Sequence, residues 1–267
     1  MELCCPVCGQ ILAFENRAAR CPAGHSFDMA REGYVNLLLG SRSGDKMGDS
    51  KAAARSRRDF LNRGYYALLR DWLCREFSDK RGTLLDICCG EGYYTSALGE
   101  NENLRVYGFD LAREMVRLAA KRGKATFFVA NMAAIPVPNA AFDYAVELFA
   151  PFQEGEFYRI LKPGGTLYVV VPGKDHLFGL KQALYDRPYP NDEQLPRTKR
   201  LRLTGTEKVT AHITLQSQQD IQSVFQMTPY YFHTSDADRR KLAALQSLST
   251  SIEFVIARYV RPEDSHG

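Results

Sequence analysis

The sequence predicts an α/β protein: a doubly wound, Rossmann-like domain preceded by a small metal-held unit. Three observations carry this. Four of the seven cysteines and a histidine crowd into residues 4–25. A glycine turn separates an apolar strand from a helix at residues 84–98. A second strand then ends on an acid, Asp110, about twenty residues beyond the turn, where doubly wound folds place the group that meets a ribose.

Composition sets the class. At 267 residues, with 45% hydrophobic and 25% charged residues, the chain suits one large globular domain plus an appendage. No apolar run approaches the ~18 residues of a membrane span. The start, MELCCPVCGQ, lacks the basic flank and apolar stretch of a secretory signal. The expected location is therefore cytoplasmic, where paired cysteines mean metal or redox chemistry. A net charge of +4 alone would not separate an RNA-binding enzyme from other slightly basic proteins.

The first element is the stretch CCPVCGQILAFENRAARCPAGH. Cys5-x2-Cys8 and Cys21-x3-His25 form two halves, each with a proline and a glycine suited to a tight knuckle. Three thiolates and one imidazole complete a tetrahedral zinc set with no open position, which is a structural site. Cys4-x3-Cys8 is an allowed alternative, and Cys5 is preferred because the turn Cys-Pro-Val-Cys-Gly is then complete. A redox Cys-x-x-Cys would normally start a helix in a thioredoxin-like unit, which is absent here. Residues 1–40 read as a zinc ribbon, followed by a connector at about 40–50 rich in Gly, Ser and Asp.

Next, RRDFLNRGYYALLRDWLCREF has the apolar spacing of helix, broken near Gly64. Residues 41–81 are thus a linker and helical segment, and 82–267 the Rossmann-like domain. Arg55, Arg57, Arg58 and Arg63 form a basic run, read either as a solvated face or as an RNA contact.

Residues 84–87 are a short strand, Cys88-Cys89-Gly90-Glu91-Gly92 a tight turn, and 93–98 a helix. A dinucleotide fingerprint starting at Gly90 fails, because its last glycine would fall on Thr95. Asp86, ending the strand, is instead typical of S-adenosylmethionine sites, where acids suit the positive sulfonium. The N–H groups of Gly90, Glu91 and Gly92 can hold the cofactor's carboxylate. Asp110 is placed for ribose hydroxyls, and Asn131 and Met132 lie in the loop after the third strand, at 125–129. Further strands are expected at 142–148, 166–171 and 251–258, helices near 217–226 and 236–247, a Lys-Pro-Gly-Gly turn before the fifth strand, and a hairpin over 197–215 around Thr204-Gly205. Phe149, Pro151 and Phe152 follow the fourth strand at the substrate end of such folds, as packing or as a stacking surface. Glu147 is nearby, and the sequence assigns no catalytic acid or base.

With both modules read, the chain resembles the RlmA/TlrB family of ribosomal RNA guanine-N1 methyltransferases along nearly its whole length. The matching stretches are CPVCG…CPAGHSFDMAREGYVNLL, GDSKAAARSRRDFLNRGYYALLRD, LDICCGEGYYT, KPGG, PGKDHLFGLK and QMTP. The resemblance implies a class I S-adenosylmethionine-dependent methyltransferase that modifies N1 of one guanine in a 23S rRNA hairpin. It implies structural zinc on Cys5, Cys8, Cys21 and His25, and cofactor contacts at Tyr66, Gly90, Glu91 and His176. It also implies a homodimer, with no DNA or membrane partner. One departure is Cys88, where the family loop usually has glycine; a thiol is tolerated there if φ is negative. The other classes the sequence leaves are a small-molecule methyltransferase of quinone-precursor type and a non-catalytic RNA-binding protein with a degenerate fold.

Overall fold

The computed structural model describes residues 3–40 and 51–263, without the side chains of 51–53. Apart from Gly40, the connector expected at 40–50 lies outside the described residues. In chain order the elements are β1 (Ala13–Glu15), β2 (Ala18–Arg20), β3 (Ser26–Asp28), β4 (Val35–Asn36), α1 (Lys51–Asn62), α2 (Ala67–Glu76), β5 (Gly82–Ile87), α3 (Tyr93–Leu98), β6 (Leu104–Asp110) and α4 (Arg113–Arg122). There follow β7 (Thr126–Val129), β8 (Phe142–Leu148), α5 (Glu154–Ile160), β9 (Leu161–Pro172), α6 (Phe178–Leu184), β10 (Arg202–Leu215), α7 (Gln218–Gln226), α8 (Asp236–Ala243) and β11 (Leu248–Val260). The helices α4 and α6 add to those the periodicity predicts.

The first three strands make a small antiparallel sheet. Asn16 and Arg17, at φ +48° and +60°, form the two-residue turn between β1 and β2, a conformation that matches the twist of a tight hairpin. This ribbon packs onto the core. Leu3, Cys5, Leu12 and Cys21 share one buried cluster with Leu85, Phe109 and Phe128. The chain then enters the main sheet directly, since β4 pairs parallel with β7 through Val35–Phe128.

The main sheet has eight strands in the order β10-β11-β9-β8-β5-β6-β7-β4. The strands from β4 to β9 run parallel, and β11 and β10 complete the far edge antiparallel. Strand order reverses between β5 and β8, and in such sheets ligands bind outside the carboxyl ends of the strands at that reversal. The central strands are apolar throughout because helices cover both faces. Leu84, Leu85, Ile87, Phe142, Ala145 and Val146 are completely buried.

Two expectations change. Residues 197–215 do not form a hairpin. β10 is one long strand that pairs with β11 over its whole length, and Thr204-Gly205 marks a bulge between Leu203 and Gly205. The Lys-Pro-Gly-Gly segment, Lys162 to Gly165, is likewise an irregularity inside β9, where Gly164 takes φ +75° and its N–H donates to the Arg261 carbonyl. Both segments carry turn-type residues. The long pairing with β11 keeps β10 continuous, while in β9 the segment bulges between the Leu161–Phe142 and Thr166–Tyr144 pairs with β8 and is tied to Arg261.

α2 packs on a face of the sheet, with Trp72 against Tyr168 and Phe77, just past its end, against Tyr144 and Tyr168. α1 lies by the turn that follows β5. α2 is docked by Trp72, whose indole N–H donates to Glu207 on β10 at 2.7 Å. α1 is tied to α7 by Arg63, 2.5 Å from Asp220, which also accepts from the Tyr65 hydroxyl at 3.0 Å. These contacts place Arg57, Leu61 and Tyr66 against the sheet.

Candidate metal centre and cofactor site

In the ribbon, Gly9 and Gly24 take φ +74° and +87°, the left-handed turn that brings each pair of ligand atoms round to one point. One donor atom each from Cys5, Cys8, Cys21 and His25 lies within 4.8 Å of all the others. Cys8 Sγ is 3.6 Å from Cys21 Sγ, and Cys21 Sγ is 3.3 Å from His25 Nδ1. A zinc tetrahedron with bonds of about 2.3 Å to sulfur has sulfur–sulfur edges of about 3.8 Å, and the Cys8–Cys21 separation is close to that value, so the donor set suits the metal. Cys4 is not part of the group; its backbone bridges Ile11 and donates to the Pro136 carbonyl at 2.8 Å. Burial works to raise the Cys21 thiol, but hydrogen bonds from His25 and Cys8 bring it down to about 6, toward the thiolate a metal needs.

At the end of β5 the chain turns sharply into α3. Gly92 has φ +79°, and a Cβ there would sit 2.8 Å from the Ala119 side chain, so the turn requires glycine. The Asp110 carboxylate braces the turn. Its Oδ2 accepts from Gly90 N–H at 3.0 Å and its Oδ1 from Ala112 N–H at 2.8 Å. Cys88 takes φ +57°, so the condition under which a thiol is easily tolerated there, a negative φ, is not met. The turn therefore carries a Cβ in the left-handed region, at a cost of about 1 kcal/mol. Burial, reinforced by the charges of Asp110, Glu147 and Asp86, pushes its thiol up to about 12.

A narrow cavity under α1 is lined by Asp86, Glu91 and Tyr94 together with Arg57, Leu61 and Phe149. Three of these residues present buried polar atoms that have no hydrogen-bond partner among the described residues: Asp86 Oδ1, Glu91 Oε1 and Tyr94 Oη. The other oxygens are engaged, Asp86 Oδ2 by the Thr95 hydroxyl at 2.5 Å and Glu91 Oε2 by Arg122 at 2.5 Å. Burial pushes Asp86 up to about 7, helped by the charge of Asp110 and opposed by Thr95. Burial also raises Glu91, against the pull of Arg122. Orphaned buried acceptors are costly unless a ligand meets them. Two acids and a hydroxyl fit the ammonium, carboxylate and sulfonium of an S-adenosylmethionine methionyl end.

Tyr66 and His176 sit together in an adjoining cavity of about 520 Å3 that shares Arg57 and Phe149 with the first. Tyr66 Oη is 3.0 Å from His176 Nε2. Phe149 itself has φ +62°, a strained conformation of the kind that collects at functional turns. The turn is held by Glu147, whose carboxylate accepts from Ala150 N–H; burial pushes that acid up to about 8. Asn131 and Met132 lie on the other flank. The Asn131 side chain caps the short turn after β7 by accepting from Ala133 N–H at 2.9 Å, and Met132 Sδ is 3.9 Å from Cys88 Sγ.

Known proteins resemble both halves. Residues 3–39 match the zinc-ribbon family described as RlmA, N-terminal, and residues 84–165 a methyltransferase domain. A 23S rRNA (guanine(748)-N(1))-methyltransferase of Streptomyces fradiae is 36% identical over 67% of this chain and 66% of its own length. The Bacillus subtilis (strain 168) protein YxjB, named for the guanine-N1 reaction on 23S rRNA, is 30% identical over 84% of this chain and 85% of its own. The chain belongs to this family.

Membership in the 23S rRNA (guanine-N1)-methyltransferases accounts for ribbon and core together. A demethylmenaquinone methyltransferase of Anoxybacillus flavithermus is 28% identical over 45% of the chain. No helix among the described residues is long and apolar enough to cross a membrane. Within the basic run, Arg63 is engaged by Asp220 while Arg55 is exposed and Arg57 faces the cavities. Arg57 and Tyr94 are lining residues that sequence reasoning missed. The Gly-Tyr-Tyr start of α3 held a signal for Tyr94, but Arg57 was hidden in a run that reads equally as a solvated face.

Proposed function

We propose that this protein transfers a methyl group from S-adenosylmethionine to N1 of a guanine in a hairpin loop of 23S rRNA. The observation that carries the reading is the pairing, in one chain of this family, of a Cys3His ribbon packed on a core whose cofactor cavity holds unsatisfied acids at the strand-order reversal. Asp110 would take the ribose hydroxyls and the Gly90–Gly92 turn the methionine carboxylate. Asp86 and Glu91 would face the positive end of the cofactor, with Tyr66 and His176 at its edge and Asn131 and Met132 toward the base.

When bound, the cofactor supplies an electrophilic methyl on a positively charged sulfur. The protein's part is alignment of N1 behind that methyl and exclusion of water, which can account for most of the acceleration. N1 is paired in a duplex, so the guanine must be unpaired and turned out of the stack. The zinc ribbon would recognise the hairpin. Its exposed Arg17 and Arg20 offer contacts to phosphate, and a second copy of the chain would complete the RNA cleft.

The test is incubation with labelled S-adenosylmethionine and unmodified 23S rRNA, followed by digestion to nucleosides. The expected product is 1-methylguanosine at one position, mapped by a primer-extension stop. Label appearing only in small-molecule acceptors would overturn the reading.

A further inference from the structure

The 520 Å3 cavity beside the methionyl end has features that cofactor binding does not use. It opens beyond the carboxyl ends of β8 and β9, lined by Phe149 and Ala150 after β8 and by Val171 and Pro172 of β9. Gly90 and Asp110 belong to the ends of β5 and β6, on the other side of the strand-order reversal. The two cavities therefore lie side by side, with Phe149 as their common wall.

Two properties of the larger cavity point to a planar base. The first is aromatic. Phe149 is 42% exposed and Phe232, in the segment after α7, is 75% exposed, and both rings line the opening. Exposed rings at a cavity mouth are stacking surfaces for an unpaired base. The second is polar. Asn191 donates both amide hydrogens to backbone carbonyls, to Gly173 at 3.1 Å and to His176 at 2.7 Å. That fixes the amide's orientation and leaves Oδ1, on a residue that lines the cavity, with no donor against it among the described residues.

We propose that this cavity receives the acceptor guanine, stacked against Phe149 and Phe232, with its 2-amino group donating to Asn191 Oδ1. The assignment rests on the function proposed above. Guanine alone among the four RNA bases carries a 2-amino group beside N1. An oriented acceptor at that point selects guanine, and it sets N1 next to the wall shared with the cofactor cavity. Adenine has only a C–H there and would leave the acceptor unmet.

The experiment uses a 23S rRNA hairpin transcript carrying either guanosine or inosine, which lacks the 2-amino group, at the methylated position. The wild-type protein should methylate the inosine transcript about tenfold more slowly or worse. Asn191→Ala should methylate both at similar rates, with S-adenosylmethionine affinity by calorimetry unchanged within about twofold. Phe232→Ala, at an exposed site outside the core, should raise KM for the transcript while largely keeping kcat. Wild-type protein that accepts inosine as readily as guanosine overturns the proposal, as does Asn191→Ala with the wild-type preference. Should Asn191→Ala fail to fold, the wild-type inosine comparison and the Phe232→Ala KM still decide. Absence of 1-methylguanosine on unmodified 23S rRNA with wild-type protein would instead remove the functional reading, and this assignment with it.

Discussion

Tyr66 Oη and His176 Nε2 lie 3.0 Å apart, while the other ring nitrogen of His176 accepts the backbone N–H of Glu253 at 3.2 Å. Burial pushes His176 down to about 4, so the ring is neutral and its one proton sits on Nε2. Tyr66 Oη is then the acceptor in the pair, and its own proton is free to meet a ligand. Burial raises Tyr66 far above the usual tyrosine range, so this hydroxyl donates and does not act as a base. Tyr66→Phe should weaken S-adenosylmethionine binding about five- to tenfold, the size expected for the loss of one ordinary hydrogen bond of about 1 kcal/mol. Calorimetry checks this, with an unchanged far-UV spectrum as the control for folding.

The same pair fixes a pH dependence of stability. The folded-state value of about 4 lies below the ordinary 6.5, so the unfolded chain takes up a proton that the native protein refuses. The stabilisation is fully present above about pH 6.5 and is lost as pH falls through 4. A shift of this size corresponds to about 3 kcal/mol. Urea denaturation at pH 7, 5.5 and 4.5 should show the loss in the wild type, and His176→Gln should remove this part of the slope. Because His176 does not titrate between pH 6 and 8, the pH dependence of methylation in that range should owe nothing to it.

Asp86 titrates in that range. Its carboxyl is pushed up to about 7, so below that pH the free protein holds it protonated and offers no negative charge to the cofactor. Binding a positive group beside it draws the proton off. Affinity for S-adenosylmethionine should therefore climb as pH rises toward 7, approaching tenfold per unit on the acid side, and level off above. Calorimetry in buffers of different ionisation enthalpy should detect proton release at pH 6. Asp86→Asn should bind more weakly at pH 8 and lose the slope.

How much of this was legible depends on how local the signal is. The strand read as ending on Asp110 and the one read at 142–148 coincide with β6 and β8, because buried parallel strands appear as short apolar runs with polar ends. The supposed hairpin around Thr204-Gly205 failed because the partner of β10 is β11, more than thirty residues on, and a local turn signal carries no information about so distant a strand. The zinc ligands and the glycine turn were readable because each chemistry depends on fixed spacings within one segment. Arg57, Tyr94 and Asn191 meet the cavities only after α1, α3 and the loop before β10 fold against one sheet end. Cys88 was read as tolerable at negative φ; only the backbone revealed the left-handed turn.

Metal removal should act on more than the ribbon. Cys5 and Cys21 share a buried cluster with Leu85 and Phe109, and the ribbon leads into β4 at the edge of the main sheet. The Cys8 thiol is exposed, so a chelator has access to the site. Titration with a strong chelator should release about one zinc per chain and lower the melting temperature, since binding energy at such sites is folding energy. Cys8→Ser should give the same shift without chelator. A protein that keeps its melting temperature after losing the metal would show that the ribbon's apolar contacts suffice.

Charge on the ribbon should be felt by RNA and not by the cofactor. Arg17 stands at the tip of the β1–β2 turn and Arg20 at the end of β2, both exposed, with the half-exposed ring of Phe14 on the neighbouring strand. All three lie outside the two cavities. Each arginine that neutralises a phosphate contributes roughly one unit to the slope of log affinity against log salt. The double substitution Arg17→Ala and Arg20→Ala should lower that slope by about two for a 23S rRNA hairpin, and weaken binding most at low salt. S-adenosylmethionine affinity should stay at the wild-type value. An unchanged slope would move the RNA contact away from the ribbon, toward the exposed Arg55 of α1 or the basic stretch Lys199 to Arg202 that leads into β10.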